Sequence, residues 1–178
     1  PDDKRGGQHF GSRLAWLPDG SLLMSIGDGG NPPIAFEGEN IRDQAQQLGT
    51  VFGKVIRLDD NGGIPSDNPF VGQDDVRPEI FSYGHRNIQG MAWDPVTETL
   101  WASEHGSRGG DELNRLQPGA NYGWPSVTYS REYWGPRISD RETAPEVINP
   151  IVVWTPSIAP SGLAVYQGEG FPQWRGDL

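Results

Sequence analysis

Short apolar runs, broken by Pro, Asp and Gly, set the pattern of this chain. Residues 13–17 (Arg-Leu-Ala-Trp-Leu) and 21–26 (Ser-Leu-Leu-Met-Ser-Ile) flank Pro18-Asp19-Gly20. Two apolar runs around such a turn predict a β-hairpin. The design recurs where Gly90-Met91-Ala92-Trp93 and Thr99-Leu100-Trp101-Ala102-Ser103 flank residues 94–98, and Gly162-Leu163-Ala164-Val165-Tyr166 opens a third copy. Leu14, Met91 and Leu163 hold the same place in each copy and lie 77 and 72 positions apart. Near-equal spacing of one strand–turn–strand unit predicts an all-β repeat architecture. Each unit has room for about four short strands and a long loop, the content of a propeller blade. The units are longer than common blades, so inserted loops are expected at 28–48, 62–78 and 130–150. Only residues 41–48 read as briefly helical. No linker or low-complexity segment divides the chain, so residues 1–178 are expected to belong to one domain.

Composition narrows the function. A chain of 178 residues can bury a real core. Seven Trp, five Tyr and six Phe, set among 25 Gly and 16 Pro, describe a packed, turn-rich protein. The formal charge of −10 argues against a nucleic-acid partner, whose phosphates call for Lys and Arg. No apolar run reaches the roughly 18 residues of a membrane span. The absence of Cys excludes disulfides and thiolate metal sites. The chain opens on Pro1 and closes on a run, Phe171-Pro172-Gln173-Trp174-Arg175-Gly176-Asp177, that reads as the approach to another strand. It is therefore expected to be an excerpt of a longer protein.

Three polar motifs carry candidate chemistry. His9 precedes a strand, and an imidazole suits proton transfer near neutral pH, although a lone His is more often structural. Arg86 beside Asn87 offers a planar cation and an amide, a pair suited to a ligand rich in carbonyl and carboxylate oxygens; taken alone, an ion pair with a nearby acid explains Arg86 better. The densest stretch is Glu104-His105-Gly106-Ser107-Arg108-Gly109-Gly110-Asp111-Glu112. Its glycines free the backbone so that carbonyl oxygens can face a cation, and calcium takes carbonyl and carboxylate oxygens. A tight turn explains the same stretch equally well.

Taken in order, these motifs resemble a family. His9-Phe10-Gly11-Ser12-Arg13-Leu14 with Pro18-Asp19-Gly20 and Ile26-Gly27-Asp28 is similar to the opening motif of the soluble quinoprotein sugar dehydrogenases. So are Gly53-Lys54-Val55-Ile56-Arg57-Leu58, Gly84-His85-Arg86-Asn87-Ile88-Gln89-Gly90, Ser103-Glu104-His105-Gly106, Gly110-Asp111-Glu112-Leu113-Asn114 and Asn121-Tyr122-Gly123-Trp124-Pro125. The match is closest to the aldose sugar dehydrogenase branch, which uses pyrroloquinoline quinone (PQQ), and runs from about residue 5 to residue 178.

The resemblance implies a six-bladed β-propeller holding PQQ and Ca2+ at the mouth of its channel, with roughly three blades in this chain. It implies that His9 is the general base for an aldose hydroxyl, that Arg86 and Asn87 contact the quinone oxygens, and that His105 and Asp111 lie near the cofactor. The carbonyls of Gly106 and Ser107 would bind the catalytic calcium, although family members more often carry proline at the Ser107 position. Glu112, with the backbone oxygen of Tyr122, matches a second, structural calcium site. Residues 154–161 resemble a further channel-side loop with no role carried over. The implied partners are an aldose substrate and an unidentified electron acceptor, and the implied compartment is the periplasm or the cell exterior. A calcium-dependent lactonase propeller and a non-enzymatic extracellular propeller module stay open beside this reading.

Overall fold

The computed structural model describes residues 8–178. Ten strands run in chain order: β1 (Gly11–Trp16), β2 (Leu22–Ile26), β3 (Ala35–Phe36), β4 (Glu39–Asn40), β5 (Lys54–Leu58), β6 (Ile80–Tyr83), β7 (Ile88–Asp94), β8 (Thr99–Glu104), β9 (Asp111–Leu116) and β10 (Val152–Trp154). Two short 3₁₀ helices cover Ile41–Gln46 and Pro172–Trp174. The strands form two four-stranded antiparallel sheets, β1-β2-β5-β6 and β7-β8-β9-β10, plus the small β3-β4 hairpin. Both hairpins expected from turn chemistry are present. Leu14 faces Met24 across the first, and Met91 faces Ala102 across the second.

One core joins the sheets. Leu23, Val55 and Phe81 from the first meet Ile88, Met91, Leu100, Ala102 and Leu116 from the second. Each such side chain stabilises by about 1.5–3 kcal/mol on full burial. The opening strands β1 and β7 lie side by side, as the inner strands of neighbouring propeller blades do. Lys54, at the start of β5, is fully buried. Its Nζ donates to the carbonyls of Gln44 (2.9 Å), Ala45 (3.0 Å) and Phe52 (2.6 Å). The interior charge is thereby hydrogen-bonded, and the helix-bearing insertion is fastened to the first sheet.

The third hairpin does not form. Residues 162–166 form no strand and lie against β7, where a Cβ on Gly90 would come within 2.6 Å of Leu163 Cβ. Beyond Val165 the chain loops back on itself: Tyr166 N–H donates to the Asp177 carbonyl and Gly176 N–H to the Tyr166 carbonyl, both at 2.9 Å, and the Tyr166 ring packs with Phe171 and Trp174. Two complete sheets therefore stand where roughly three blades are expected. Of the inserted loops, the first holds β3, β4 and the 3₁₀ helix over Ile41–Gln46, close to the helical stretch read from sequence. Among the described residues no helix is long and apolar enough to cross a membrane.

Antiparallel order explains where the polar motifs go. Odd strands of the first sheet begin, and even strands end, at one end of the molecule once β5 and β6 take their places. The segments around residues 9, 28, 53, 84–87, 104–111 and 155–160 are thus gathered at that end.

Candidate active site

His9 sits just before β1 with a left-handed φ of 50°. Its Nδ1 is 2.6 Å from Oδ1 of Asp28, a carboxylate with no exposed surface. Its Nε2 is 3.1 Å from an Arg86 amino group. Arginine only donates, and a carboxylate only accepts. The ring is therefore fixed with the proton on Nδ1 and the lone pair on Nε2. Asp28 is held in turn. Its Oδ1 accepts from Gly30 N–H at 3.0 Å, and its Oδ2 accepts from the Trp124 indole N–H at 2.7 Å.

Arg86 is the centre of the cluster. It is 3% exposed. Its guanidinium donates to the carbonyls of His105 (3.1 Å) and Gly106, and faces Asn31 Oδ1 (3.3 Å) and the Tyr133 hydroxyl (3.4 Å). It also lies 5.4 Å from the Trp124 ring centroid. Its buried Nε has no partner. No carboxylate pairs with it among the described residues. A buried cation without a counter-charge is costly, so this place fits an anionic ligand such as a quinone bearing carboxylates. The ion pair that the isolated motif favours is not made.

Asn87 accepts from Gly11 N–H (3.1 Å) and Gln89 (2.9 Å) through Oδ1, tying the second sheet to the turn that carries His9. His105 is bonded at Nε2 to the Pro160 carbonyl at 2.7 Å. Asp111 is 1% exposed. One oxygen accepts from Gly106 N–H and Ser157 Oγ, the other from the N–H groups of Ile158 and Ala159, all at 2.8 Å. Asp111 is thus a bolt between the 105–110 loop and the 154–161 segment, which gives that segment a structural place. At Gly106 an added Cβ would lie 2.3 Å from the Gly109 carbonyl, so only glycine fits the loop's tightest point. The Gly106 carbonyl, expected to face a cation, accepts from Arg86. Ser107 N–H donates to Ser130 Oγ at 3.1 Å, while its own buried Oγ has no partner.

Glu112 and Tyr122, with Gly84, Arg86, Glu104 and Thr128, line one small cavity of about 10 Å³. Burial, with Glu104 and Asp111 nearby, pushes the Glu112 carboxyl up to about 8. Burial would also raise Glu104, but His85 at 3.2 Å and the N–H groups of Arg86 and Asn87 outweigh it and hold that carboxyl below its usual range. Asn114 bridges the two acids at 3.1 Å each. His85 stacks on Tyr122 with centroids 4.6 Å apart. Buried acids, one of them driven towards its neutral form, are a setting in which a divalent cation replaces the proton. No three His, Cys, Asp or Glu side chains form a metal cluster among the described residues, so backbone carbonyls must supply much of any calcium shell.

Asp28 and Trp124 belong to the quoted motifs, yet sequence gives them no role. They are 96 positions apart, and no local pattern announces the bond between them.

The family follows from comparison. The Glucose / Sorbosone dehydrogenase family matches residues 1–178. This chain belongs to that family. The Synechocystis protein slr1608 is 56% identical over 98% of the chain, which spans 43% of that relative. The crystal structure of the soluble aldose sugar dehydrogenase from Escherichia coli, in the apo-form, is 43% identical, with a TM-score of 0.86 over 95% of this chain and 46% of that one. The PQQ-bound aldose sugar dehydrogenase from Streptomyces coelicolor is 34% identical, with a TM-score of 0.67 over 88% of this chain and 39% of that one. The chain thus spans less than half the length of each of these relatives.

Proposed function

We propose that this family member oxidises the anomeric hydroxyl of aldose sugars to lactones, with PQQ as electron sink, as part of a six-bladed propeller. The carrying observation is His9, its tautomer fixed by Asp28, facing a buried Arg86 that lacks a counter-charge. The likeness to a PQQ-bound sugar dehydrogenase supports the choice of cofactor.

PQQ supplies a quinone that takes up the hydride leaving the sugar carbon. His9 Nε2 accepts the hydroxyl proton, and the Asp28 carboxylate stabilises the imidazolium that results. Arg86 holds a full positive charge where negative charge grows on the acceptor, the form of stabilisation that contributes most in a dry site. The free amide N–H groups of Asn87 offer further donors, and His105 is steadied beside them by Pro160. The Gly106 and Ser107 carbonyls would hold a calcium that polarises the quinone. Glu112 and the Tyr122 carbonyl would hold a second, structural one. Asp111 fixes the loop that carries the first pair. An electron acceptor must then reoxidise the cofactor, and the periplasm or cell exterior is the proposed compartment.

The test uses the full-length protein with PQQ, calcium and an artificial acceptor against aldoses and lactones. His9→Gln is expected to lower kcat for an aldose at least about a hundredfold while PQQ still binds, measured by absorbance titration. Near-normal kcat in that variant removes His9 from the mechanism. Turnover of lactones alone replaces the dehydrogenase reading with a lactonase.

A further inference from the structure

Three arginines stand side by side at the mouth of the site. Residues 107–109 form a tight bridge, and beyond it Arg108 pairs antiparallel with Arg131, which pairs with Arg137. The Arg108 N–H donates to the Arg131 carbonyl at 3.1 Å. Like charges directly opposite on paired segments repel. In a chain of net charge −10 such an arrangement is the reverse of what solubility alone selects.

The carboxylates that ought to neutralise them are engaged elsewhere. Glu132 pairs with Arg42 at 2.8 Å and Glu146 with Arg141, and only Arg137 of the three is answered, by Glu142 at 3.3 Å, which leaves Arg108 and Arg131. Arg131 reaches only the Gly135 carbonyl, at 3.4 Å. The Arg108 guanidinium has no polar partner among the described residues. The Arg42–Glu132 pair is buried and joins two of the inserted loops, so the arginine-bearing segment is anchored.

Between these groups lies a groove of about 580 Å³, lined by Ser107, Arg108, Arg131, Tyr133, Thr155 and Ser157. That is ample for a monosaccharide. The buried, unpartnered Oγ belongs to Ser107, on its wall. Tyr133, also on its wall, places its hydroxyl 3.4 Å from Arg86, so one wall of the groove touches the cluster around His9.

We infer that this groove is a subsite for an anionic group, carboxylate or phosphate, carried by the sugar substrate, with Arg108 and Arg131 as its ligands and Tyr133 as the wall shared with the reacting centre. This rests on the sugar-oxidation reading and narrows its substrate class to acidic aldoses. An oxyanion between Arg108 and Arg131 offsets their mutual repulsion and gains charge-assisted hydrogen bonds.

The test compares glucose, glucuronate and glucose 6-phosphate on the full-length holoenzyme. The acidic sugars are expected to show KM values at least about tenfold below that of glucose, a gap that shrinks with added salt. Arg108→Gln with Arg131→Gln is expected to erase that gap while leaving kcat and KM for glucose within about twofold. Phosphate preferred over carboxylate identifies a sugar phosphate as the substrate, and the reverse a uronate. Equal KM values for all three in the unaltered enzyme, or an equal loss for all three in the variant, overturn the subsite. Calorimetric titration of the same proteins with glucuronate and with glucose 6-phosphate keeps the two readings apart. Binding of either that the double variant loses, without turnover of any aldose, sustains the subsite and removes the oxidation chemistry. Turnover of glucose with no binding preference removes the subsite alone.

Discussion

Glu112 shows how one residue couples charge to stability. Its carboxyl is buried beside two other acids and pushed up to about 8, which makes it a poor anion unless a cation arrives. A ligand that binds only the folded state adds about 2.7 kcal/mol at a hundred times its Kd. In full-length protein, calcium is therefore expected to raise the melting temperature, and a chelator to lower it. Glu112→Gln keeps the shape and removes the charge. It is expected to melt near the unaltered protein in chelator, yet to gain little from calcium. A calcium titration in which both proteins gain equally shows that the ion sits elsewhere. Legibility at this scale divides cleanly. His9, Arg86 and Asn87 stand out as candidates because their motifs are local, while their roles and that of Glu112 come from the family resemblance. Asp111 is legible as a residue but not as a bolt, since its four donors come from residues 106 and 157–159. Trp124 is invisible, because an indole in a turn looks like core.

At the scale of the element, the Pro18-Asp19-Gly20 turn repays its prominence in the sequence. Asp19 is held at about 2, chiefly by the Ser21 hydroxyl and N–H, against a small opposing effect of burial and with help from Arg57. Arg57 in β5 also reaches Ser21 (2.8 Å) and Asp67 (3.0 Å), so the first hairpin, the third strand and the second inserted loop share one knot. A depressed carboxyl contributes stability above its unfolded value near 3.8 and loses it as pH falls through about 2. Asp19→Asn is expected to melt lower than the unaltered protein at pH 7, with the gap closing between pH 4 and pH 2. A gap independent of pH over that range assigns the effect to packing. The two hairpins were legible because turn residues and flanking apolar runs are adjacent. Strand β9 was not, because Asp111-Glu112-Leu113-Asn114-Arg115-Leu116 is largely polar. It is a strand because its acids and Asn114 face a buried polar network instead of solvent. The third copy forms no strand: Leu163 lies against Gly90 of β7, and Tyr166 bonds to Gly176 and Asp177.

At the scale of the whole molecule, the pattern of exposure matters most. Phe10, Leu14 and Trp16, on or beside β1, are 58–60% exposed, an apolar stripe on an inner strand. Blades in a propeller cover such stripes for one another, and contiguous apolar surface promotes association. Residues 1–178 expressed alone are expected to aggregate or fold only in part, and to show no PQQ-dependent aldose oxidation. Light scattering and an activity assay check this, and a monodisperse, active monomer contradicts it. The bond between Asp28 and Trp124 has a consequence for how such a protein matures. His9 and Asp28 hang from the first sheet, and the donor that steadies that carboxylate leaves the ribosome 96 residues later. Arg86 and the Asn87 tether to Gly11 also arrive only with the second sheet. A nascent chain therefore displays His9 long before it can orient it, and the proposed chemistry would wait on the docking of one sheet against the next.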